Sequence, residues 1–189
     1  MQLTIEKDDL KELEKYRNRK EFVSIIKDLI NDDTVKQMKN FRQHYTSSCY
    51  DHCLEVAYWS YLVCKKLGLD YVSAARGGML HDLFLYDWRQ SSKKLNLNGL
   101  HAFIHPQIAL DNASKIFNLN DIEKDIIVKH MWPVTLFHIP KYKESYIITI
   151  MDKLSALKSC HDYYESNLKK KSFVKYAYIF FASFVINIL

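Results

Sequence analysis

An all-α, single-domain helical bundle is the fold this sequence predicts, and three observations predict it. Only four glycines and three prolines punctuate 189 residues, too few turn residues for a β-sandwich or a doubly wound sheet. Apolar residues recur at helical spacing in one segment after another. Hydrophobic residues make up 48% of the chain, enough for one core at this length and not for two.

Residues 7–39 are charge-rich, with Phe22, Ile25, Ile26, Leu29 and Ile30 at helical spacing, and read as two or three short helices. Tyr45-Thr46-Ser47-Ser48 offers the hydroxyls that favour an N-cap, so a helix is expected from there to Lys66, ended by Gly68. On it His52, Val56, Trp59 and Val63 share one face, which turns His52 inward. Residues 71–83 form the next helix, with Ala74, Ala75, Met79 and Leu80 on its apolar side. The polar stretch Arg89–Asn98 has no clear period and reads as a loop. Pro106 suits the first position of a helix, leaving His105 at the cap; on that reading His101 and His105 share no helical face despite their i, i+4 spacing. Asp121 is expected to cap a helix carrying Ile122, Ile126 and Ile127 towards His130, which Trp132-Pro133 ends. A further helix spans residues 142–158, with Ile147, Ile150, Met151 and Leu154. Phe173–Leu189 is almost continuously apolar but short for a bilayer span, and reads as a terminal helix docked on the core or on a second subunit of a homodimer, with a membrane-associated tail as the alternative. This divides the chain into N-terminal helices (1–44), a central domain (45–160) and an apolar C-terminal helix (161–189).

The formal charge of +5 and pI near 8.9 are spread among interleaved acidic residues. That pattern argues against a dedicated nucleic-acid surface and suits a phosphorylated ligand. Cysteines 49, 53, 64 and 160 form no C-x-x-C pair and no secretory signal opens the chain, so free thiols in a reducing cytoplasm are expected. Cys49, His52 and Cys53 are helical neighbours, but no fourth ligand follows at zinc-finger spacing.

The chemistry concentrates in Leu80-His81-Asp82-Leu83. An imidazole and a carboxylate inside an apolar helical pattern need partners. A hydrogen-bonded core histidine would explain the pair alone; its company points further. His52 precedes it, and His105, His130 and Asp152 follow, each on or beside a separate helix that a bundle can direct into one pocket. Asp152 in particular lies in an apolar context where a carboxylate requires a cation or another partner.

The order His, His-Asp, His, His, Asp resembles the HD-domain superfamily of metal-dependent phosphohydrolases, over roughly residues 45–160. Leu80-His81-Asp82-Leu83 resembles the signature, His105-Pro106-Gln107-Ile108-Ala109 the His-Pro segment of the two-metal HD-GYP branch, and Asp152-Lys153-Leu154-Ser155-Ala156-Leu157 its terminal motif. The sequence departs from that branch at Met131-Trp132-Pro133, at Leu83-Phe84-Leu85 and at Ser155, where the branch has a second Asp, so cleavage of a cyclic dinucleotide is not implied. As a whole the segment from His44 to Ser159 is more similar to small bacterial HD proteins. The resemblance implies that His52, His81, Asp82 and Asp152 hold one metal and that Asp82 bridges to a second held by His105 and His130. It thereby assigns catalysis to His81 and Asp82. Imidazoles with carboxylates suit iron, manganese, zinc, cobalt or nickel.

The function expected on these grounds is a phosphomonoesterase or phosphodiesterase acting on a nucleotide or other small phosphate through a metal-bound hydroxide. Arg76, Lys153, Arg89 and His101 are candidate substrate contacts, and Trp88 and Trp132 candidate base-stacking rings. Two alternatives remain open on sequence: a diiron oxygenase of HD type, and a regulatory module that senses a ligand or binds a partner.

Overall fold

The computed structural model describes residues 18–44, 47–90 and 99–167, and no strand occurs among them. The fold is all-α. Residues 18–25 are helical, followed by α1 (Lys27–Asn31), α2 (Asp33–Gln37), α3 (Cys49–Lys66), α4 (Tyr71–Leu80), α5 (His101–Ile116), α6 (Asp121–Lys129) and α7 (Lys143–Asn167). An isolated antiparallel bridge pairs Arg42 with Ser48 just before α3. No helix among the described residues is long and apolar enough to cross a membrane.

Packing is organised by α4. Its run Ala74, Ala75, Gly77, Gly78 presents almost no side-chain bulk. A Cβ on Gly78 would lie 2.9 Å from the Ala57 Cα of α3, and one on Gly77 would lie 2.9 Å from the Ile126 side chain of α6. This close approach lets α4 sit centrally, against α3, α5, α6 and α7. One apolar cluster joins Phe22, Ile26, Leu29, Val35 and Met38 to Tyr61, Met79, Leu80 and Phe84; a second joins Val56 and Ala74 to Ile126, Ile148, Met151 and Leu154. Residues 18–44 therefore share a core with the helices that follow.

Helix ends follow local chemistry. The Ser48 hydroxyl accepts from Asp51 N at 3.1 Å and starts α3; Gly68, at φ +67°, ends it in the left-handed region that favours glycine. Four boundaries differ from expectation. Helix α4 stops at Leu80 rather than residue 83, with turns closed by Leu83 N to Leu80 O and Phe84 N to Asp82 O. Consecutive residues of a helix point about 100° apart, and leaving the helix here lets neighbours His81 and Asp82 face one centre. Helix α5 begins at His101, not Pro106, because a proline in the second turn forfeits one early backbone bond without ending the helix. The cap of α6 is Asn120, not Asp121: its side chain accepts from Glu123 N, and Glu123 accepts from Asn120 N, closing a reciprocal capping box. Helix α7 continues past Lys158 to Asn167, unbroken at residues 160 and 161. Residues 91–98 of the expected Arg89–Asn98 loop and the apolar segment 173–189 lie outside the described residues.

Candidate metal centre

Where the C-terminal ends of α4 and α6 meet the starts of α3 and α5 and the middle of α7, the core is polar. His52, His81, Asp82, His105, His130 and Asp152 are each at most 9% exposed, and the structure brings all of them together. The Asp82 carboxylate is at the middle. Its Oδ1 lies 3.2 Å from His105 Nε2 and 3.3 Å from His130 Nε2, while its Oδ2 lies 3.5 Å from His81 Nε2 and 3.9 Å from His52 Nε2. One carboxylate oxygen thus faces each half of the cluster. Asp152 Oδ1 completes the first half, 3.1 Å from His52 Nε2 and 4.0 Å from His81 Nε2.

The outward nitrogens of the imidazoles set the inward ones. His81 Nδ1 donates to Gly78 O at 2.7 Å, His105 Nδ1 to His101 O at 2.8 Å and His130 Nδ1 to Ile127 O at 2.8 Å. Each carbonyl belongs to the histidine's own helix, three or four residues earlier, so helix geometry itself fixes the tautomer. His52 reaches the same state by another route. Ser155 donates its hydroxyl proton to Glu55 Oε2 at 2.7 Å, so its oxygen accepts from His52 Nδ1 at 3.1 Å; Lys158 holds the other oxygen of Glu55. All four rings therefore direct a lone-pair Nε2 at the carboxylates.

That arrangement is not satisfied by protein alone. His81 Nε2 and Asp82 Oδ1 are buried with no hydrogen-bond partner. His105 Nε2 and His130 Nε2 stand 2.8 Å apart, two acceptors face to face in the tautomers their carbonyl anchors impose. Buried acceptors turned on one another need a positive charge between them. The donor set fits a divalent transition metal, and the groups His52–His81–Asp152 and His81–Asp82–His130 each have one ligand atom per residue within 4.8 Å of the others.

The electrostatics agree. Burial alone would raise both carboxyls, but His81, His105 and His130 hold Asp82, and Lys153 and His52 hold Asp152, well below the usual carboxylate range. Burial opposes a proton on His81, yet Asp82, Cys53 and Asp152 outweigh it and lift the ring to about 9; the site stabilises positive charge at that nitrogen. Burial instead pushes His130 down to about 4.

The expected substrate contacts fare differently. Lys153 is tied into the centre, its Nζ 2.7 Å from Asp152 Oδ2 and 2.9 Å from His130 O. His101 and His105 lie on one helix after all, with rings stacked 4.4 Å apart at 19°. His101 bonds Tyr86 Oη through Nδ1 at 3.0 Å, while His105 turns its Nε2 to Asp82. Arg89 pairs with Asp87 and lines a cavity with Trp88. Arg76, by contrast, is committed elsewhere: its guanidinium grips Asp28 with both terminal nitrogens, Glu123 with Nε and the Ile25 carbonyl, which is a structural role. Trp132 packs edge-on against Tyr146.

Two contributors have no signal in the sequence. Gln43 donates to Asp82 Oδ2 at 2.6 Å, and the Glu55–Ser155 chain orients His52; only the appearance of Ser155 in place of an Asp could have drawn attention to the latter.

Fold and site together define an all-helical protein with a buried His/Asp centre fit for divalent metal. Residues 49–157 match the HD domain, and the chain belongs to the HD-domain family, whose superfamily comprises metal-dependent phosphohydrolases. It is similar to the ribonuclease Y proteins of Mycoplasma capricolum subsp. capricolum and Mycoplasma mycoides subsp. mycoides SC, at 31% identity over 160 residues in each case. Those alignments cover 77% of this chain and 28% of each relative, so the chain spans under a third of the relatives' length. No solved structure matches.

Proposed function

We propose that the protein is a metal-dependent phosphohydrolase acting on phosphate esters of nucleotides. In this reading His52, His81, Asp82 and Asp152 hold one divalent ion, and Asp82, His105 and His130 hold a second. The observation that carries it is the Asp82 carboxylate, which offers one oxygen to each half of the cluster and leaves Oδ1 without a protein donor.

When bound, divalent ions there supply Lewis acidity, lowering the pKa of a water and offsetting charge on the phosphoryl oxygens. The chain's own residues set the conditions for it. The backbone carbonyls of Gly78, His101 and Ile127 and the hydroxyl of Ser155 engage Nδ1 of every ligand imidazole and so turn Nε2 to the centre. Lys153 offsets the charge of Asp152 and ties α7 to the end of α6. Burial excludes bulk water, which strengthens each of these interactions. The neighbouring thiol of Cys53 does not compete as a nucleophile: burial pushes it well above its ordinary value, and it stays protonated.

The test is turnover of a phosphate-ester panel by the purified chain with Mn²⁺ or Fe²⁺, beside Asp82→Ala. Hydrolysis by the parent that the variant lacks is expected; equal turnover by both would overturn the reading. A phosphodiester of RNA is the second substrate to include, favoured by the 31% identity to proteins named ribonuclease Y. A short single-stranded RNA assayed in parallel decides between ester and diester.

A further inference from the structure

We propose that the cavity beside this centre is a subsite for a second, non-scissile phosphate, so that the preferred substrate is a nucleotide carrying at least two phosphates. The inference deepens the phosphohydrolase reading and rests on it. The cavity measures about 420 Å³ and is lined, among the described residues, by Arg42, Gln43, His44, Trp88, Arg89 and Tyr163.

Continuity with the centre comes first. Gln43 lines the cavity and also donates to Asp82 Oδ2 at 2.6 Å, so one side chain borders both spaces. His44 lines it as well, its ring edge-on to His52 with centroids 4.8 Å apart. Its Nε2 is buried without a hydrogen-bond partner, a polar atom free to meet a ligand.

Charge comes second. Among the described residues that line it, two are arginines and none is acidic. Asp87 accepts from Arg89 Nε at 2.8 Å and from Nη2 at 2.9 Å, which aims the guanidinium while offsetting part of its charge. Guanidinium forks match the geometry of phosphate oxygens. Since the scissile group must sit at Asp82 and His81, an anion received by the arginines is a different one. A substrate with a single phosphate leaves them unused.

Shape comes third. The volume lies within the ~300–1,000 Å³ of small-ligand sites, room for one nucleotide unit and not for a duplex. The wall is fixed to the centre by stacked rings: Trp88 lies on His101 at 5.4 Å and 19°, and His101 on His105 at 4.4 Å and 19°. Trp88 is 37% exposed and gives the organic part of the ligand an aromatic surface.

The experiment is calorimetric titration of the full chain, loaded with Mn²⁺, with AMP, ADP and the 5′-phosphorylated dinucleotide pApA. Binding of ADP or pApA about tenfold tighter than AMP is expected, the size of one charge-assisted fork. Arg42→Ala should erase that preference and Arg42→Lys restore part of it; Arg42 is exposed, so its loss leaves folding intact. A preference for ADP alone assigns the second phosphate to an anhydride, and one for pApA alone to a diester. Equal affinity for all three ligands, or a preference that survives Arg42→Ala and Arg89→Ala together, overturns the subsite. Turnover of p-nitrophenyl phosphate is measured in parallel. Its absence from the parent counts against the phosphohydrolase reading, while turnover without any preference removes the subsite alone.

Discussion

Two polar clusters share α4, one around Arg76 within it and one around His81 and Asp82 at its C-terminal end, and they are built on opposite principles. Around Arg76 donors and acceptors are matched in sign and place: Asp28 and Glu123 take the guanidinium, the Glu123 carboxylate also closes the Asn120 cap, and Asn120 donates to Ser73 Oγ at 2.8 Å, which donates to Asp70. Around Asp82 the count does not close, because four imidazoles aim acceptors at two carboxylates and leave His81 Nε2 and Asp82 Oδ1 orphaned. A satisfied cluster holds helices together. An unsatisfied one, kept rigid by its outward hydrogen bonds, is prepared for something that arrives from outside.

The largest expected effect separates the two directly. Asp82→Asn should lower phosphohydrolase turnover at least ~10³-fold, since one carboxylate serves both halves of the centre. Metal analysis of the purified variant should show loss of bound ion while far-UV circular dichroism stays helical. A variant that retains metal and turnover would erase the distinction between the clusters.

Arg76→Ala should do the reverse. Arg76 and Glu123 side chains are 19% and 4% exposed, and removing one member of such a pair strands the other. The expected cost is about 3 kcal/mol, the low end of the range for buried pairs, because Asp28 is half exposed and contributes little. Urea denaturation reads the loss, and metal affinity measured well below the transition should be unchanged.

How much of this contrast the sequence discloses depends on where each residue's partners lie. Histidines and carboxylates in apolar helical faces are legible locally, so His52, His81, Asp82, His130 and Asp152 stand out by being in the wrong company. Arg76 looks the same from sequence, an isolated charge one turn before His81, and only Asp28 and Glu123, 48 and 47 residues distant, reveal its role. Gln43 is silent for the same reason, since its partner lies 39 residues on. Pro106 misleads by being read as a first-turn residue, which separates His101 from the ring it stacks upon. Glycines at 77 and 78 carry no chemistry yet decide that α4 is central; their meaning resides in Ala57 and Ile126 on other helices.

Ser155 sharpens the comparison at intermediate size. It belongs to the centre's outer layer, where three histidines use backbone and His52 alone uses a side chain. Ser155→Ala removes the acceptor that holds His52 Nδ1–H and strands one oxygen of Glu55. Metal affinity should fall about 10- to 100-fold, read by competition with a chelating dye, and Ser155→Thr should recover most of it. An Ala variant with parent affinity would show that packing, rather than the hydroxyl, orients the ring.

The smallest effect tests whether the satisfied principle extends beyond Arg76. Asp125 clasps the start of α7: its Oδ2 accepts from Lys141 N at 2.9 Å and from Ser145 Oγ at 2.7 Å, and Lys129 pairs with Oδ1. Burial alone would raise this carboxyl, but Lys129, Ser145 and the Lys141 amide outweigh it and hold it below the ordinary value of 3.8. A carboxyl with a depressed native pKa contributes stability that is fully present above its unfolded value, about 3.9, and is lost as the pH falls through the native one. Asp125→Asn should therefore be less stable than the parent by about 1 kcal/mol at pH 7, with the gap closing as the pH is lowered from about 4 towards 2. Thermal unfolding of both proteins across that range measures it. Parallel pH profiles would mean that the clasp is held by its neutral hydrogen bonds alone.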